Sequence, residues 1–471
     1  MRLSVLCSSV VLFAACNTDD KAGASGSDDP VDSGGSGEDG GDGGDAGVPT
    51  WHQDVAPLVA AHCAGCHTDG GLAFDLTDPA SAAALSGAIR TAVEAGTMPP
   101  WGQDEDESCE QRLPFKDDVR LSDADKATLM AWIDGGTPEG DPATAAALTT
   151  PSVATLDDAT QTLPHPAAYT TAGTRDEFIC FVLDPELDNT RWLTGLEFVP
   201  GNAAVVHHAL IYTDPSGRGA AQANEEGWYP CFGSPGFDET TLVGAWAPGI
   251  PPTLSPENAG TELDAGTNLV VQVHYHPRGD AAEPDLSALR LRWTDDEPAL
   301  RNKLLLLGNQ SSRGEGLLPG PNDPEDRATF LIPADVADHT ETMESESSWW
   351  VGHRFQVYLV ATHMHYIGVD MEIELIRASP EGDEPDEECL IGTPNYSFEW
   401  QRLYSYDAPV ADLPQVDRAD TFRLNCTYDN TPGNPGTVAA MADAGLDAPM
   451  DVRLGDGTLD EMCIAVIGAV Y

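Results

Sequence analysis

Residues 354–365 read Arg-Phe-Gln-Val-Tyr-Leu-Val-Ala-Thr-His-Met-His, and this stretch decides the fold class of the second half of the chain. Apolar residues alternate from Phe355 to Ala361, as in a strand with one buried face. His363 and His365 continue the alternation, so both imidazoles are expected on the inward face at the end of the strand. The pattern predicts a β-sheet core that carries a partly buried metal site.

The chain after residue 150 has the sequence pattern of an all-β protein. Short runs rich in β-branched and aromatic residues alternate with clusters of Gly, Pro and Asp, and no long amphipathic helix is convincing. Further strands are expected at residues 268–276, 369–376 and 462–470. Because this span is large for one sandwich, we expect a joint between two domains at the Pro- and Asp-rich turn 295–298.

Two more histidine sets lie upstream, His207-His208 and His274-x-His276. Strand alternation puts His274 and His276 on one face, whereas His207 and His208 point apart unless a bulge or twist interrupts the strand. Imidazole-rich sites suit copper or zinc, and an added methionine thioether favours copper, above all Cu(I). Spacing alone does not tell which histidines share a metal, and a hydrogen-bonded core histidine is the alternative for each pair taken singly.

Composition excludes some classes of function. The 471 residues are enough for several domains, and 78 acidic against 23 basic residues give a formal charge of -55. This charge repels nucleic-acid phosphates and anionic lipid surfaces, so no nucleic-acid partner is expected. No uninterrupted apolar run approaches the ~18 residues of a spanning helix, which indicates a globular protein and not an integral membrane protein.

The first sixteen residues have the form of an export signal. Arg2 is the charged start, residues 3–13 are the apolar stretch, and Ala14-Ala15-Cys16 is a small-residue cleavage site. The segment resembles a bacterial lipoprotein signal, although Phe13 stands where that pattern prefers Leu. The resemblance implies acylation of Cys16 and localisation to the cell envelope, facing the periplasm or cell surface, with membrane contact only through the lipid. Ordinary secretion with Cys16 as a free thiol is the alternative.

Residues 17–49 consist almost entirely of Gly, Ser, Asp and Ala. No apolar residue in this stretch could anchor a fold, so a disordered acidic linker is expected. The Gly and Asp repeat at residues 38–45 has the composition of a calcium loop. It lacks a closing bidentate Glu at the right offset and any flanking helix pattern, which favours the linker.

Residues 62–67 read His-Cys-Ala-Gly-Cys-His and contain the C-x-x-C-H spacing of covalent haem attachment. At this spacing Cys63 and Cys66 can bind the two vinyl groups of one haem while His67 ligates its iron. Met98 lies on a stiff Met-Pro-Pro turn, and its thioether suits the sixth iron position. A core methionine beside an accidental motif is the alternative.

Helical patterns flank the motif, at residues 51–61 and 121–133. The span from about 50 to 141 therefore resembles a small c-type cytochrome, which implies an all-α domain with covalent haem c that acts as an electron carrier. His52 and His62 are rival axial ligands, and the C-x-x-C-H and Met98 pattern favours His67 over both.

Four motifs in the second half occur in the order found in the copper type II ascorbate-dependent monooxygenases, the peptidylglycine α-hydroxylating and dopamine β-monooxygenase family. They are Val-Val-His-His-Ala-Leu at 205–210, Val-Gln-Val-His-Tyr at 271–275, Thr-His-Met-His at 362–365 and Asp-Glu-Met-Cys at 460–463. The resemblance spans residues 175–471. It implies two all-β, jelly-roll-like sandwich domains that bind copper, for which we take the bounds 150–296 and 297–471.

The resemblance also implies two ligand sets. One copper is assigned to His207, His208 and His274, and His276 is treated as a support or structural residue. The second copper is assigned to the catalytic set His363, His365 and Met462. Met364 and Met371 are the nearest alternatives to Met462. The disulfides implied by the resemblance are Cys180–Cys231 and Cys426–Cys463, and Cys109 and Cys389 stay unassigned.

The resemblance implies hydroxylation of a C–H bond of a small organic substrate with O2. In the family that the chain resembles, the methionine-bearing copper binds O2 and the three-histidine copper supplies the second electron, and the resemblance implies the same roles here. Electrons are expected from a redox donor, either the chain's own haem, ascorbate or another external reductant. A non-catalytic, exported copper-binding or electron-transfer protein is the alternative.

The substrate is expected to differ from that of the peptide-amidating relatives. Ala361 stands where they carry a carboxylate-binding arginine, and Ile464 and Val466 stand where they carry Asn and Tyr. Desolvating an unpaired carboxylate costs several kcal/mol, so a neutral or cationic, largely apolar substrate is predicted. A carboxylate substrate would need an arginine from elsewhere, such as Arg354 or Arg402.

Overall fold

The computed structural model describes residues 47–68, 74–104, 109–148, 155–172, 176–276, 282–308, 316–324, 326–455, 457 and 459–471. The chain divides into two compact units, Met1–Gly47 and Val48–Tyr471. The predicted signal, with Cys16, and nearly all of the predicted linker lie outside the described residues. Among the residues described, no helix has both the length and the apolar character needed to cross a lipid bilayer.

Helices dominate the part of the second unit before residue 150. The α-helices of the whole unit are α1 (Ala56–His62), α2 (Pro79–Ala84), α3 (Ser86–Glu94), α4 (Asp123–Asp134), α5 (Arg218–Gln222) and α6 (Pro435–Ala444). A π-helical segment, Trp51–Val55, precedes α1, and short 3-10 helices lie at Pro142–Thr144, Ser347–Trp349, Phe398–Trp400 and Val410–Asp412. The predicted helices 51–61 and 121–133 are confirmed, with α4 capped by the Ser122 hydroxyl.

The rest of the second unit is mostly β-sheet, as predicted. Its strands are β1 (Gln161–Pro164), β2 (Tyr169–Thr170), β3 (Glu177–Leu183), β4 (Arg191–Val199), β5 (Val206–Asp214), β6 (Trp228–Pro230), β7 (Leu242–Trp246), β8 (Thr253–Leu254), β9 (Ala259–Leu263), β10 (Asn268–Tyr275), β11 (Pro284–Asp285), β12 (Ala288–Thr294), β13 (Leu300–Gly308), β14 (Leu331–Ile332), β15 (His339–Glu346), β16 (Phe355–His363), β17 (Gly368–Ile376), β18 (Glu387–Thr393), β19 (Tyr404–Ser405), β20 (Gln415–Val416), β21 (Thr421–Tyr428), β22 (Val452–Arg453) and β23 (Ile464–Val470). The predicted strands are confirmed within one or two residues at their ends.

Three sheets enclose two cores, because each core packs against a different half of one 10-stranded sheet. In the first core, the sheet β6-β3-β10-β5-β7 packs against the strands β1-β12-β4-β9. Phe181 and Ile211 are among the residues buried in this core. In the second core, the sheet β15-β21-β17-β18 packs against the strands β13-β23-β16-β19. Phe422 and Leu359 are among the residues buried in this core. Each arrangement is a β-sandwich, because two sheets bury their inner faces against each other.

The two sandwiches share one continuous sheet. β13 pairs in parallel with β9, where Leu300 and Arg301 lie opposite Ala259 and Gly260. The turn between β12 and β13 contains the predicted joint, residues 295–298. The domain limits themselves stay a prediction. The expectation of no long amphipathic helix holds for the described residues of this half; α6, with its Asn434 cap and Pro435 start, is a helix of 10 residues without an amphipathic pattern and was not predicted.

Disulfides join distant parts of the unit. The pairs Cys180–Cys231 and Cys426–Cys463 are present and confirm the two that the resemblance implied. Cys109 pairs with Cys389 across a sequence separation of 280 residues, and ties the helical segment to β18. Three disulfides in one chain indicate an oxidising environment such as that of an exported protein.

His165 makes the first sandwich sensitive to acid. The side chain is 2% exposed, its ring stacks on Phe181 at 3.8 Å, and neither ring nitrogen has a hydrogen-bond partner among the described residues. Burial lowers the pKa of His165 from 6.5 to about 3. The unfolded chain therefore binds a proton below pH 6.5 that the folded chain does not bind until about pH 3, so stability is lost as the pH falls through this window.

We expect His165→Phe to reduce the loss of stability between pH 7 and pH 4 by about 3 kcal/mol, because the aromatic stack is kept and the titrating group is removed. Denaturant unfolding at both pH values measures the effect. His353→Phe is the control, because His353 is exposed. An equal acid loss in the parent and in His165→Phe would show that His165 is protonated in the folded protein.

Candidate metal centres

A β-bulge brings His207 and His208 to the same place. Along the pairing of β5 with β10, His208 lies opposite His274, but the next pair is Val206 with Tyr275. His207 is therefore the additional residue of a bulge, which rotates its side chain out of the ordinary alternation. The bulge that joint ligation of a metal by His207 and His208 would require is therefore present.

The three histidines form one compact cluster. One ligand atom from each of His207, His208 and His274 lies within 4.8 Å of the others. The Nδ1 of His208 is 3.1 Å from the Nδ1 of His207 and 3.4 Å from that of His274. Burial, then the charges of the neighbouring histidines, lowers the pKa of His208 well below its ordinary value, so the ring is neutral and can ligate. Three converging imidazoles fit copper or zinc.

Asp176, which the sequence analysis missed, orients this cluster. Its Oδ2 lies 3.0 Å from Nε2 of His274, and its Oδ1 lies 2.7 Å from Nδ1 of His276. Partial desolvation opposes ionisation, but the adjacent imidazoles of His274 and His276 hold the pKa of Asp176 well below its ordinary value. A carboxylate on Nε2 of His274 directs the other nitrogen, Nδ1, toward His208. His276 thus contacts the cluster through Asp176.

We expect Asp176→Asn to weaken metal binding at the three-histidine cluster by about 10- to 100-fold, because the carboxylate that orients His274 and increases its basicity is lost. Copper titration of the apoprotein against a competing chelator measures the change. Asp188→Asn, at an exposed position, is the matched control. Equal affinity in the parent and in Asp176→Asn would show that His274 needs no carboxylate to bind metal.

A second histidine pair lies at the end of β16. The rings of His363 and His365 have centroids 5.4 Å apart and are nearly perpendicular. The Nδ1 of His363 donates to Gln401 Oε1 (2.8 Å), and the Nδ1 of His365 donates to the Asp460 carbonyl (2.9 Å). Both oxygens only accept hydrogen bonds, so each proton lies on Nδ1 and each Nε2 carries a lone pair suited to a metal.

Gln401 is held in the orientation that this tautomer requires. Its amide nitrogen donates to the Phe398 carbonyl (3.2 Å), so Oε1 faces His363. Burial, and secondarily His365, lowers the pKa of His363 to about 4, against the opposing effect of the Gln401 hydrogen bond. His363 also contributes to the lowered pKa of His208, so the two histidine sets lie within electrostatic reach of each other.

Buried Glu461 holds the backbone around the second pair. Its carboxylate accepts from the N–H groups of His365 (2.7 Å), Ile367 (2.9 Å) and Met462 (3.2 Å). The Met462 carbonyl accepts from the Tyr428 hydroxyl (2.7 Å). Burial raises the pKa of Glu461 to about 8, although the backbone donors favour the ionised form. The Glu461 side chain thus connects the backbone that follows β16 to the backbone of Met462, the residue before Cys463.

The alternative methionines belong to the sandwich core. The side chain of Met364 packs against Gly368, where an added Cβ would lie 2.6 Å from the Met364 Cβ. The backbone of Met364 is fixed by Tyr396, whose hydroxyl accepts from the Met364 N–H at 2.9 Å. Met371 is fully buried in the second core. Met462 is 9% exposed and lies beside the Glu461 contacts.

The surroundings of His363 are apolar on the side of β23. His363 lies opposite Ile464, and Ala361 lies opposite Val466. Arg354 is exposed and pairs with Asp417 at 2.6 Å. Arg402 lies over the Trp101 ring at 4.6 Å. Both arginines that were considered as carboxylate ligands therefore have other contacts.

The C-x-x-C-H segment forms a tight turn after α1. The His67 N–H donates to the Cys63 carbonyl (2.9 Å), and Nδ1 of His67 donates to the Phe74 carbonyl (3.1 Å). The proton on Nδ1 leaves the lone pair on Nε2, as an axial haem ligand requires. Cys63 and Cys66 are free thiols. Burial raises the pKa of Cys63 to about 11 and also raises that of Cys66.

The donor set of this segment fits a haem. Two unpaired thiols, an imidazole with a bonded Nδ1 and a partly buried Met98 are the groups that covalent attachment and axial ligation use. His52 Nε2 lies 3.4 Å from the Glu139 carboxylate. His62 Nδ1 lies 3.1 Å from the Val119 carbonyl, which leaves Nε2 for a metal as in His67, so the C-x-x-C-H spacing and not this contact favours His67.

Comparisons with known proteins do not assign a family. No family model matches the chain, and no curated protein matches it. The subviral particle of infectious bursal disease virus VP2 has 10% identity over 70% of this chain and 74% of its own, with a TM-score of 0.16. The virus Gx strain structure has 9% identity over 68% of this chain and 82% of its own, also with a TM-score of 0.16. Similarity at this level carries no argument about fold or function.

Proposed function

We propose that the protein is an exported copper-dependent monooxygenase that hydroxylates a C–H bond of a small organic substrate with O2. The observation that carries this proposal is the presence of two differently built histidine sets in two adjoining sandwiches. In the set of His207, His208 and His274, the Nδ1 atoms of the three rings converge. In the set of His363 and His365, both Nδ1 atoms are hydrogen-bonded to oxygen. A metal store would not need two distinct centres within electrostatic reach.

The chain's residues have separate tasks in this proposal. His207, His208 and His274 would hold one copper, and His363, His365 and Met462 would hold the second. Copper bound at these two centres would supply O2 activation at the second centre and an electron reserve at the first. Asp176, Gln401 and Glu461 hold the ligands in place, and the apolar pair Ile464 and Val466 would receive a neutral or cationic substrate.

The helical segment has the role of electron donor in the same proposal. Residues 50–141 would form a c-type cytochrome domain, in which Cys63, Cys66, His67 and Met98 hold the haem. A one-electron carrier in the same chain suits a reaction that needs two electrons in separate steps. An external reductant, ascorbate or another redox donor, would reduce the haem. Acylation of Cys16 would anchor the chain to a membrane of the cell envelope.

The test combines metal content with isotope incorporation. We expect two coppers by elemental analysis and one haem by pyridine haemochrome in each mature chain. The reduced protein is then incubated with ¹⁸O2 and a panel of neutral aromatic and amine substrates, with peptidylglycines as the carboxylate comparison. Labelled hydroxyl groups are expected in the neutral or cationic substrates. Zinc at both centres would contradict the proposal, and fully copper-loaded protein that labels nothing would favour the non-catalytic alternative.

A further inference from the structure

The polypeptide that follows Met98 is fixed to the second sandwich. Cys109 is bonded to Cys389 in β18, and the Phe115 ring stacks on Tyr406 with centroids 5.0 Å apart. Backbone hydrogen bonds reinforce the attachment, from the Lys116 N–H to the Ser405 carbonyl and from the Asp407 N–H to the Pro114 carbonyl, both 2.8 Å. The segment that carries the C-x-x-C-H motif and Met98 is therefore attached beside β19.

Arg402 lies at the centre of this contact. Its guanidinium is 4.6 Å from the centre of the Trp101 ring, and its Nη2 donates to the Asp117 carbonyl (3.2 Å). Trp101 is buried and follows Met98 by three residues in the sequence Met-Pro-Pro-Trp. The charge of Arg402 also acts on the Cys66 thiol. Arg402 thus contacts Trp101, which follows Met98 by three residues, and lies within electrostatic range of Cys66.

The residue before Arg402 contacts the second histidine pair. Gln401 accepts a hydrogen bond from His363 Nδ1 at 2.8 Å. Consecutive contacts therefore lead from Met98 through Trp101, Arg402 and Gln401 to His363, and every contact is covalent, cation–π or hydrogen-bonded. The Cys66 Sγ also lies 3.7 Å from the position that a Cβ on Gly249 would occupy, in the loop after β7. That contact offers electrons an alternative route, which leads toward the first sandwich.

We propose that electrons leave the haem through Trp101, Arg402 and Gln401 and enter the centre of His363, His365 and Met462 directly, without passing through the three-histidine cluster. This inference rests on the proposed function. Each transfer moves one electron, so ferrous haem becomes ferric and one Cu(II) becomes Cu(I), with no bond made or broken. The external one-electron reductant then restores the ferrous haem. Arg402 and Gln401 act as positioning residues.

The test follows electron transfer within the protein and needs no substrate. Oxidised, fully loaded protein is reduced at the haem by a brief flash with a photoexcited flavin, without oxygen, and the decay of the ferrous haem absorbance is recorded. We expect Gln401→Leu to slow the decay by about tenfold or more, as the loss of a group that supports a metal ligand does, and Arg402→Gln to slow it as well, because the cation–π contact with Trp101 is lost. His208→Ala, which removes only the first centre, should leave the rate unchanged.

Matched variants separate this effect from general damage. Arg191 lies over the Trp293 ring at 5.5 Å in the first sandwich, so Arg191→Gln removes a comparable cation–π contact. Gln222→Leu changes an exposed glutamine. Both should transfer electrons at the parent rate. The haem potential and the copper resonance spectrum of each variant report whether the two groups are still bound. If Gln401→Leu loses copper, its decay rate no longer tests the route. The decay rate of Arg402→Gln then decides, because Arg402 has no contact with a copper ligand among those described.

Two results would overturn the inference. Loss of the fast decay in His208→Ala, with parent rates in Arg402→Gln, would place the entry at the three-histidine centre. Haem that stays ferrous in the unaltered, copper-loaded protein would reject transfer altogether. The second result leaves the proposed hydroxylation intact if the same preparation forms ¹⁸O-labelled product with an external reductant, so the two failures are distinguishable.

Discussion

Met462→Ala should keep copper bound at His207, His208 and His274 while hydroxylation falls by at least about 100-fold, because loss of groups that merely support a metal ligand already costs 10- to 100-fold. Only the second centre loses its soft donor, which favours Cu(I). The purified Met462→Ala protein is expected to contain one copper fewer per chain or to bind its second copper weakly. Elemental analysis, copper resonance spectra and labelled product measure these outcomes separately.

Met364→Leu is the matched control for Met462→Ala. Met364 is one residue from two proposed ligands, but its side chain packs against Gly368 in the core. A leucine of similar volume should preserve copper content and product formation. Full turnover in Met462→Ala would show that the wrong methionine has been assigned, and loss of turnover in Met364→Leu alone would identify Met364 as the donor.

Glu461→Ala is expected to have the largest effect on stability. The substitution leaves the buried N–H groups of His365, Ile367 and Met462 without their carboxylate acceptor. Each unsatisfied buried group costs about 1–3 kcal/mol, so a loss of at least about 3 kcal/mol in the free energy of unfolding is expected. The second centre should lose copper while the three-histidine centre keeps it, since Glu461 does not belong to the first sandwich.

Two further variants test the reason for this loss. Glu461→Gln keeps one acceptor oxygen and should lose less stability than Glu461→Ala. Glu344→Ala removes a carboxylate of β15 that is 35% exposed, and should change stability by less than about 1 kcal/mol. Denaturant unfolding and copper analysis measure both. A Glu461→Ala protein with parent stability and parent copper content would show that the backbone around Met462 is fixed by other contacts.

The sequence predicted those features that depend on local periodicity. The alternation from Phe355 to Ala361 correctly predicts a strand, β16, but a β-bulge between Val357 and Leu359 interrupts it and residues on both faces are buried, so the prediction that Phe355 and Val357 share a face with His363 is wrong. The need for a bulge at His207 followed from the same rule. Helix α6 was missed because its residues are mostly small and do not divide into an apolar and a polar face.

Residues that support the ligands could not be predicted, because their role depends on contacts between distant segments. Asp176 reaches His274 from the start of β3, and Gln401 reaches His363 from a loop. Neither lies in a periodic pattern or a ligand motif. Cys389 could not be paired for the same reason, since its partner Cys109 is 280 residues away. Glu461 lay within one of the four motifs, but only the fold shows which N–H groups it accepts.

The Cys109–Cys389 link has a kinetic consequence for a redox partnership. A separate donor would meet an acceptor as acidic as this chain, whose formal charge is -55, at a rate that depends on the donor concentration and strongly on the salt concentration. If the helical segment is the electron donor as proposed, the disulfide that keeps it beside β18 makes the encounter intramolecular, with an effective concentration fixed by geometry. Electron delivery should then be independent of dilution and ionic strength, and the only diffusional step left is the arrival of the external reductant.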